Sequence, residues 1–251
     1  MSGNGRVRNR QSGFSLLEML LVVAILGIVT GGILAQMDTA QQRASSEQVK
    51  LDNFQEARDF VDQFFRDVNQ IGYPNSRMID TTSASWAPAL AVPLINDSRL
   101  AVGLVKIDAN ELRFEGDMKG DGVIQSVIYQ INGSGACTLC FQRSQIDKIS
   151  ADPLTGQAQN WGTEVNDVAV PAIFSYFKAD GTQITTLPVD ISTPGGAQII
   201  ASIKTIKISL TIRNPSVLDQ KTLQAIETNF EGEVSLNNCS MAAAGAPMSC
   251  N

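Results

Sequence analysis

The chain has 251 residues, 43% of them hydrophobic, and a formal charge of −6, enough length and apolar content for one substantial core with an appendage. The acidic balance argues against nucleic acid as a partner of the whole surface. The absence of histidine excludes Ser-His-Asp and Cys-His catalysis, histidine metal sites and the usual near-neutral acid–base group, so the chain is expected to be neither an enzyme nor the holder of a cofactor.

The chain opens with a basic stretch carrying Arg6, Arg8 and Arg10, then Gly13-Phe14, then an apolar run from Leu16 to about Ala35 interrupted by Glu18. About 20 apolar residues span a bilayer core, and the arginines hold the leader on the cytoplasmic side. A secretory signal cut near Ala35 places Ile33 where a small residue is wanted and leaves Glu18 unexplained. A plain anchor explains neither Glu18 nor Gly13-Phe14. Cleavage between Gly13 and Phe14, with the apolar run retained, accounts for all of them. A carboxylate inside such a run costs on the order of 2.5–3.5 kcal/mol at a helix centre and less near an end, so Glu18 calls for a use.

Gly13-Phe14-Ser15-Leu16-Leu17-Glu18 resembles the processing site of type IV prepilins: a short basic leader ending in Gly, then Phe, then Glu as the fifth residue of the mature chain. The resemblance implies a prepilin peptidase that removes residues 1–13 and methylates the new amine of Phe14. Loss of three arginines then takes the formal charge from −6 to −9. Ser15-x-x-Glu18 also reads as a capping box, with negative charge suited to a helix start. The other reading pairs Glu18 with the Phe14 amine of a neighbouring subunit, an attraction strengthened by low dielectric. Gly27-x-x-x-Gly31 offers a face for close helix approach, although glycine is common in membrane helices. Gly31-Gly32 marks a soft point.

From Gln36 to Ile71 the chain turns polar but contains no Gly or Pro. Leu51, Phe54, Ala57, Val61, Phe64, Phe65, Val68 and Ile71 recur at helical spacing and predict one apolar face. Gly72-Tyr73-Pro74 predicts the stop. Residues 14–71 are therefore expected as one helix of about 58 residues, roughly 87 Å at 1.5 Å per residue, within a segment 14–73 whose first part, about 14–36, lies in lipid or a filament core.

Residues 74–251 are expected as a β-rich head. Ile206, Ile208, Leu210 and Ile212 alternate with Lys207, Ser209, Thr211 and Arg213. Ile226, Thr228, Phe230, Val234 and Leu236 alternate with Glu227, Asn229, Glu231, Glu233 and Ser235. These two half-buried strands are predicted to pair antiparallel with cross-strand charge contacts. Further strands are predicted at Leu100–Ile107, Glu111–Glu115, Val123–Ile131, Thr138–Arg143 and Ile173–Lys178. Loops are predicted at 75–99 and 144–170, and a hairpin turn at Asn132-Gly133-Ser134-Gly135. Asp117, Asp121 and Gly122 loosely fit positions one, five and six of a calcium loop. Lys119 occupies a ligand position, however, and Ile128 stands where the bidentate Glu belongs, so a bare acidic turn is the better reading. Cys137, Cys140, Cys239 and Cys250 are disulfide candidates in a secreted head, with three connectivities open. Cys239–Cys250 is favoured. Cys137 and Cys140 are about 10 Å apart in an extended strand and pair only if the chain turns between them. A four-cysteine zinc site is the minor alternative.

The expected fold class is thus α+β: a long N-terminal helix, membrane-spanning and then amphipathic, packed on an antiparallel sheet, as in the pilin plan. The helix end Asp67-Val-Asn-Gln-Ile-Gly-Tyr-Pro74, and the segment Arg113-Phe-Glu-Gly-Asp117 through Tyr129 with Arg143 beyond, resemble minor pilins of the PilW type and J-type pseudopilins. The resemblance implies a minor pilin, a fimbrial assembly, initiation or tip subunit. Its partners are the prepilin peptidase, other major and minor pilins, the inner-membrane assembly platform and membrane lipid. The resemblance also implies a single pass in the inner membrane with the head in the periplasm, and later a place in the pilus at the cell surface. A J-type pseudopilin of type II secretion, and a tip adhesin or DNA-uptake module, are the rivals.

Overall fold

The structure, a computed structural model, describes residues 15–74, 94–132, 139–169, 172–218 and 224–237. The leader, the turn at 133–135 and the segment 75–93 lie outside the described residues. Helix α1 spans Leu16–Gln70. The chain falls into two units, divided between Gln48 and Val49.

In the first unit α1 runs unbroken through Gly27, Gly31 and Gly32. Ser15 occupies the capping position, its carbonyl accepting the first helical bond from Met19 N at 3.2 Å, and Glu18 lies in the first turn. In the second unit the buried stripe of α1 is Asn53, Ala57, Phe60, Phe64, Asp67 and Val68, continued by Ile71 just past the helix end. This corrects the predicted face. Phe60 belongs to it, whereas Leu51 and Phe54 are 57% and 49% exposed. At 100° per residue, Phe54 lies about 90° and Leu51 about 150° from the centre of the buried stripe.

The strands in chain order are β1 (Leu104–Ile107), β2 (Glu111–Gly116), β3 (Gln125–Asn132), β4 (Cys140–Asp147), β5 (Trp161–Val165), β6 (Val168–Ala169), β7 (Phe174–Lys178), β8 (Gln183–Ile184), β9 (Val189–Asp190), β10 (Ile203–Leu218) and β11 (Ala225–Ser235), with helix α2 (Pro194–Ala201) between β9 and β10. One sheet has the order β5-β4-β3-β2-β1-β9. The other has β11-β10-β7-β8, with β6 also on β10. Every pairing is antiparallel. The architecture is α+β and pilin-like: a long apolar N-terminal helix followed by antiparallel sheets.

The expected pairing of the two alternating strands is observed. β10 and β11 are in register from Thr205↔Ser235 to Asn214↔Ile226, and Lys207–Glu231 and Arg213–Glu227 pair at 2.8 and 3.5 Å. The loop expected at 144–170 is corrected. β4 continues to Asp147, and β5 and β6 occupy part of the rest. These short strands show no clean alternation, β5 having only Val165 buried. Helix α2 was also unforeseen. Its Thr193 accepts a hydrogen bond from Gly196 N, and Pro194 suits the first turn, a start legible in principle from Thr-Pro.

Phe60 and Phe64 set α1 on the first sheet through edge contacts with Tyr129 at 5.8 and 5.7 Å, and Phe60 meets Phe141 at 4.8 Å. Phe64 stacks on Phe174 of the second sheet at 5.7 Å. Such pairs add about 0.5–1.5 kcal/mol each beyond their burial. The helix ends as expected at Gly72, whose φ of 74° favours glycine. Gly72 N donates to the Glu115 carbonyl at 2.9 Å, and Asp117 N to the Tyr73 carbonyl at 2.8 Å. Gly116 faces this junction, where a Cβ lies 2.2 Å from the Gln70 carbonyl oxygen. Because that neighbour is backbone, Gly116→Ala is expected to cost about 2–3 kcal/mol, at the upper end of overpacking losses, read from urea unfolding. A loss below about 0.5 kcal/mol contradicts the close approach.

Candidate functional site

Two parts of the molecule carry features beyond ordinary packing: the exposed apolar half of α1 and a buried polar frame where α1 meets the head.

In the first unit, Glu18 is the single charged residue from Leu16 to Leu34. The helix contains an 18-residue window long and apolar enough to cross a membrane, and none of that window is buried. Leucine, isoleucine, valine and methionine side chains from Leu16 to Met37 are more than half exposed. A face this large is covered by lipid or by other chains. A Cβ at Gly27, Gly31 or Gly32 meets nothing within 4 Å, in keeping with the exposure of this whole stretch. Farther along, side chains satisfy themselves locally: Thr39 Oγ1 donates to the Ala35 carbonyl at 3.0 Å and Gln42 Nε2 to Asp38 at 3.1 Å. Gly13 and Phe14 lie outside the described residues.

The buried frame joins Asp67, Tyr129 and Arg143, which the sequence marks only through its resemblance, and includes Lys148, which sequence reasoning does not single out. Asp67 sits on the apolar stripe of α1. It accepts from Tyr129 Oη at 2.7 Å, Arg143 Nε at 2.8 Å and Gln63 Nε2 at 2.6 Å, and Arg143 Nη2 lies 2.6 Å from it. The Arg143 guanidinium is 5.7 Å from the Tyr129 ring centre. Burial opposes the Arg143 charge, but Tyr129 and Asp67 outweigh it and raise its pKa. Burial, then the Asp67 carboxylate, push the Tyr129 phenol well above its ordinary value. Burial does the same at Tyr176, whose hydroxyl donates to the Asp108 carbonyl at 2.8 Å. Next to the helix end, Lys148 and Glu115 form a fully buried ion pair at 2.7 Å. Lys148 Nζ also donates to the Leu100 carbonyl at 2.8 Å, and Val102 N to Glu115 at 3.0 Å. The signal for Asp67 was present in sequence: a carboxylate spaced three from Phe64 and four from Ile71, on the apolar face.

Above about pH 10 an unfolded chain ionises its tyrosines, while folded Tyr129 and Tyr176 stay protonated. The native state then binds more protons, so stability, complete below pH 10, falls as pH rises further, by up to about 2.7 kcal/mol per unit for two phenols. Phenolate absorbance from these two is expected to appear together with loss of circular dichroism in an alkaline titration. Phenolate preceding unfolding contradicts it.

The acidic turn is built as a backbone cradle. Asp117 accepts from Gly120 N, Asp121 N and Gly122 N at 2.7, 3.2 and 2.8 Å, and Asp121 accepts from Val123 N at 3.0 Å. Lys119 pairs with Asp147 at 3.0 Å and lowers its pKa. Among the described residues no three potential ligands gather as a metal site. Cys140, at the start of β4, is buried and disulfide-bonded. Cys137, Cys239 and Cys250 lie outside the described residues.

Comparison with known proteins adds one match. Residues 8–34 fit the model of the prokaryotic N-terminal methylation motif, a span that includes Gly13, Phe14, Glu18, Gly27 and Gly31. No curated protein and no solved structure matches the chain. The motif implies processing by a prepilin peptidase and assembly with other pilins, and together with the exposed apolar helix it supports a type IV pilin-like or pseudopilin-like subunit anchored in a membrane.

Proposed function

We propose that the chain is a minor type IV pilin of the PilW type, a structural subunit that helps start or cap a pilus and performs no catalysis. The observation that carries the reading is Gly13-Phe14 ahead of a helix whose exposed apolar first part carries Glu18 in its opening turn. The peptidase cuts after Gly13, Phe14 is methylated, and residues 14–251 remain in the inner membrane with the head in the periplasm. Glu18 then pairs with the Phe14 amine of a neighbour as the helix moves from lipid into the filament, and Gly27 and Gly31 admit close packing. The resemblance at the helix end and around 113–131 supports the PilW type. In those segments Asp67 meets Tyr129 and Arg143, Gly72 N donates to the Glu115 carbonyl, and Gly116 lies against the Gln70 carbonyl, adding to the Phe60 and Phe64 contacts that join helix to head.

Cys137 pairs with Cys140 and Cys239 with Cys250 in this reading. The positive φ of Leu139, 63°, supports a change of chain direction next to Cys140, as the first pairing requires. Peptide mapping without reduction is expected to recover these two bridges, and a Cys140–Cys239 or Cys140–Cys250 peptide contradicts the assignment.

Deleting the gene in the native host and scoring surface pili against secreted enzymes tests the role. Loss of pili with secretion retained is expected. Retained pili with failed secretion points to a J-type pseudopilin instead.

A further inference from the structure

β11 forms one edge of the second sheet. Its inner neighbour is β10, and among the described residues no strand lies on its other side. An antiparallel pair uses half of a strand's amides and carbonyls, so this 11-residue strand presents the other half outward, a template for strand addition.

The two faces of the strand differ. On the solvent face stand Glu227, Glu231 and Glu233, all exposed, with Lys207 and Arg213 of β10 on their inner side. On the other face α1 runs alongside. Phe54 meets Phe230 at 5.1 Å, and a Cβ at Gly232 lies 2.6 Å from the Phe65 ring. Phe54 is nevertheless half exposed, and Leu51, about 60° farther round the helix, more so. Phe54 therefore leaves apolar surface beside β11, with Leu51 about one turn before it on the helix.

We propose that β11 is a strand-addition site for a segment of a different protein, an extended stretch that alternates basic and apolar residues. Its backbone pairs with the open edge, its basic side chains meet the three glutamates, and its apolar side chains cover Phe54 and Leu51. The charge pattern selects against a second copy, because β11 added to β11 places glutamate rows side by side, and like charges directly opposite are destabilising. The inference stands on the edge and its charges and does not depend on the pilus reading.

The test uses the full chain in detergent micelles and two fluorescein-labelled eleven-residue peptides, one alternating Lys and Val, the other Glu and Val. Fluorescence anisotropy gives affinity, and amide hydrogen exchange locates the peptide. Saturable binding of the Lys peptide is expected, roughly tenfold or more tighter than the Glu peptide, on the scale of three exposed ion pairs, with slowed exchange confined to 225–235. The triple variant Glu227→Gln, Glu231→Gln, Glu233→Gln is expected to erase the difference between peptides. If that variant fails to fold, the two peptides and the exchange footprint on the unmodified chain decide alone. The proposal is overturned by absence of binding at millimolar peptide, by protection on another edge, by equal affinity for both peptides, or by protection of β11 through self-association without peptide.

Discussion

Replacing Lys148 with methionine is expected to destabilise the head by about 4 kcal/mol at pH 7 and by about 1 kcal/mol at pH 5. The pair Lys148–Glu115 has no exposed surface, and removing one partner of such a pair typically costs about 3–5 kcal/mol. The variant has one escape, which is to bury Glu115 protonated. Burial already raises the Glu115 pKa against the pull of Lys148, and without the lysine that opposing pull is gone. Protonating a carboxylate of ordinary pKa about 4.3 at pH 7 costs about 3.7 kcal/mol, since each unit is about 1.36 kcal/mol. The sign follows from the raised folded pKa. Stability is complete below the unfolded pKa and is lost as pH rises, at about 1.4 kcal/mol per unit. Urea unfolding of the variant and the parent at pH 5 and 7 checks this. A loss that does not change with pH, or one below about 1 kcal/mol at pH 7, contradicts a buried, lysine-dependent carboxylate.

Glu18→Gln carries the largest functional effect. Glutamine keeps the reciprocal bond of a capping box, so the helix start is preserved and cleavage at Gly13-Phe14 proceeds. What glutamine removes is charge. A desolvated, hydrogen-bonded pair that loses one partner gives up about 2–5 kcal/mol, at least tenfold in the fraction of subunit that enters filaments. Full-length, processed protein in the membrane with little or none in sheared filaments is the expected result. Parent-like amounts in filaments leave Glu18 as a cap and nothing more.

Much of the fold is legible in the sequence because burial is one-sided. β10 and β11 have one wet and one dry face, so period-two alternation survives in their residues, and their charges already announce the antiparallel register. The length of α1 is legible because no proline interrupts it and Gly72-Tyr73-Pro74 closes it. The buried face of α1 is less legible. Phe54 and Phe65 flank the stripe and rest on β11 while Phe60 points to the centre, a distinction set by two sheets that the helix sequence does not contain. The buried frame was hidden for a different reason. Asp67, Glu115, Arg143 and Lys148 look like surface residues until their partners, 33 to 76 positions away, are brought to them. β5, β6 and α2 are short, and the only local sign of α2 is the Thr193-Pro194 start, followed by two glycines that weaken a helical reading. The long apolar start of α1 and the methylation motif are legible because length, hydropathy and a short motif are local properties of the sequence.

The most direct test of the pilin-like reading is the intact mass and N-terminal sequence of the protein from its native membrane or sheared filaments. A chain that begins with N-methyl-Phe14 and lacks residues 1–13 is expected. A chain that begins at Met1, or one cut near residue 35 with the apolar helix removed, contradicts it.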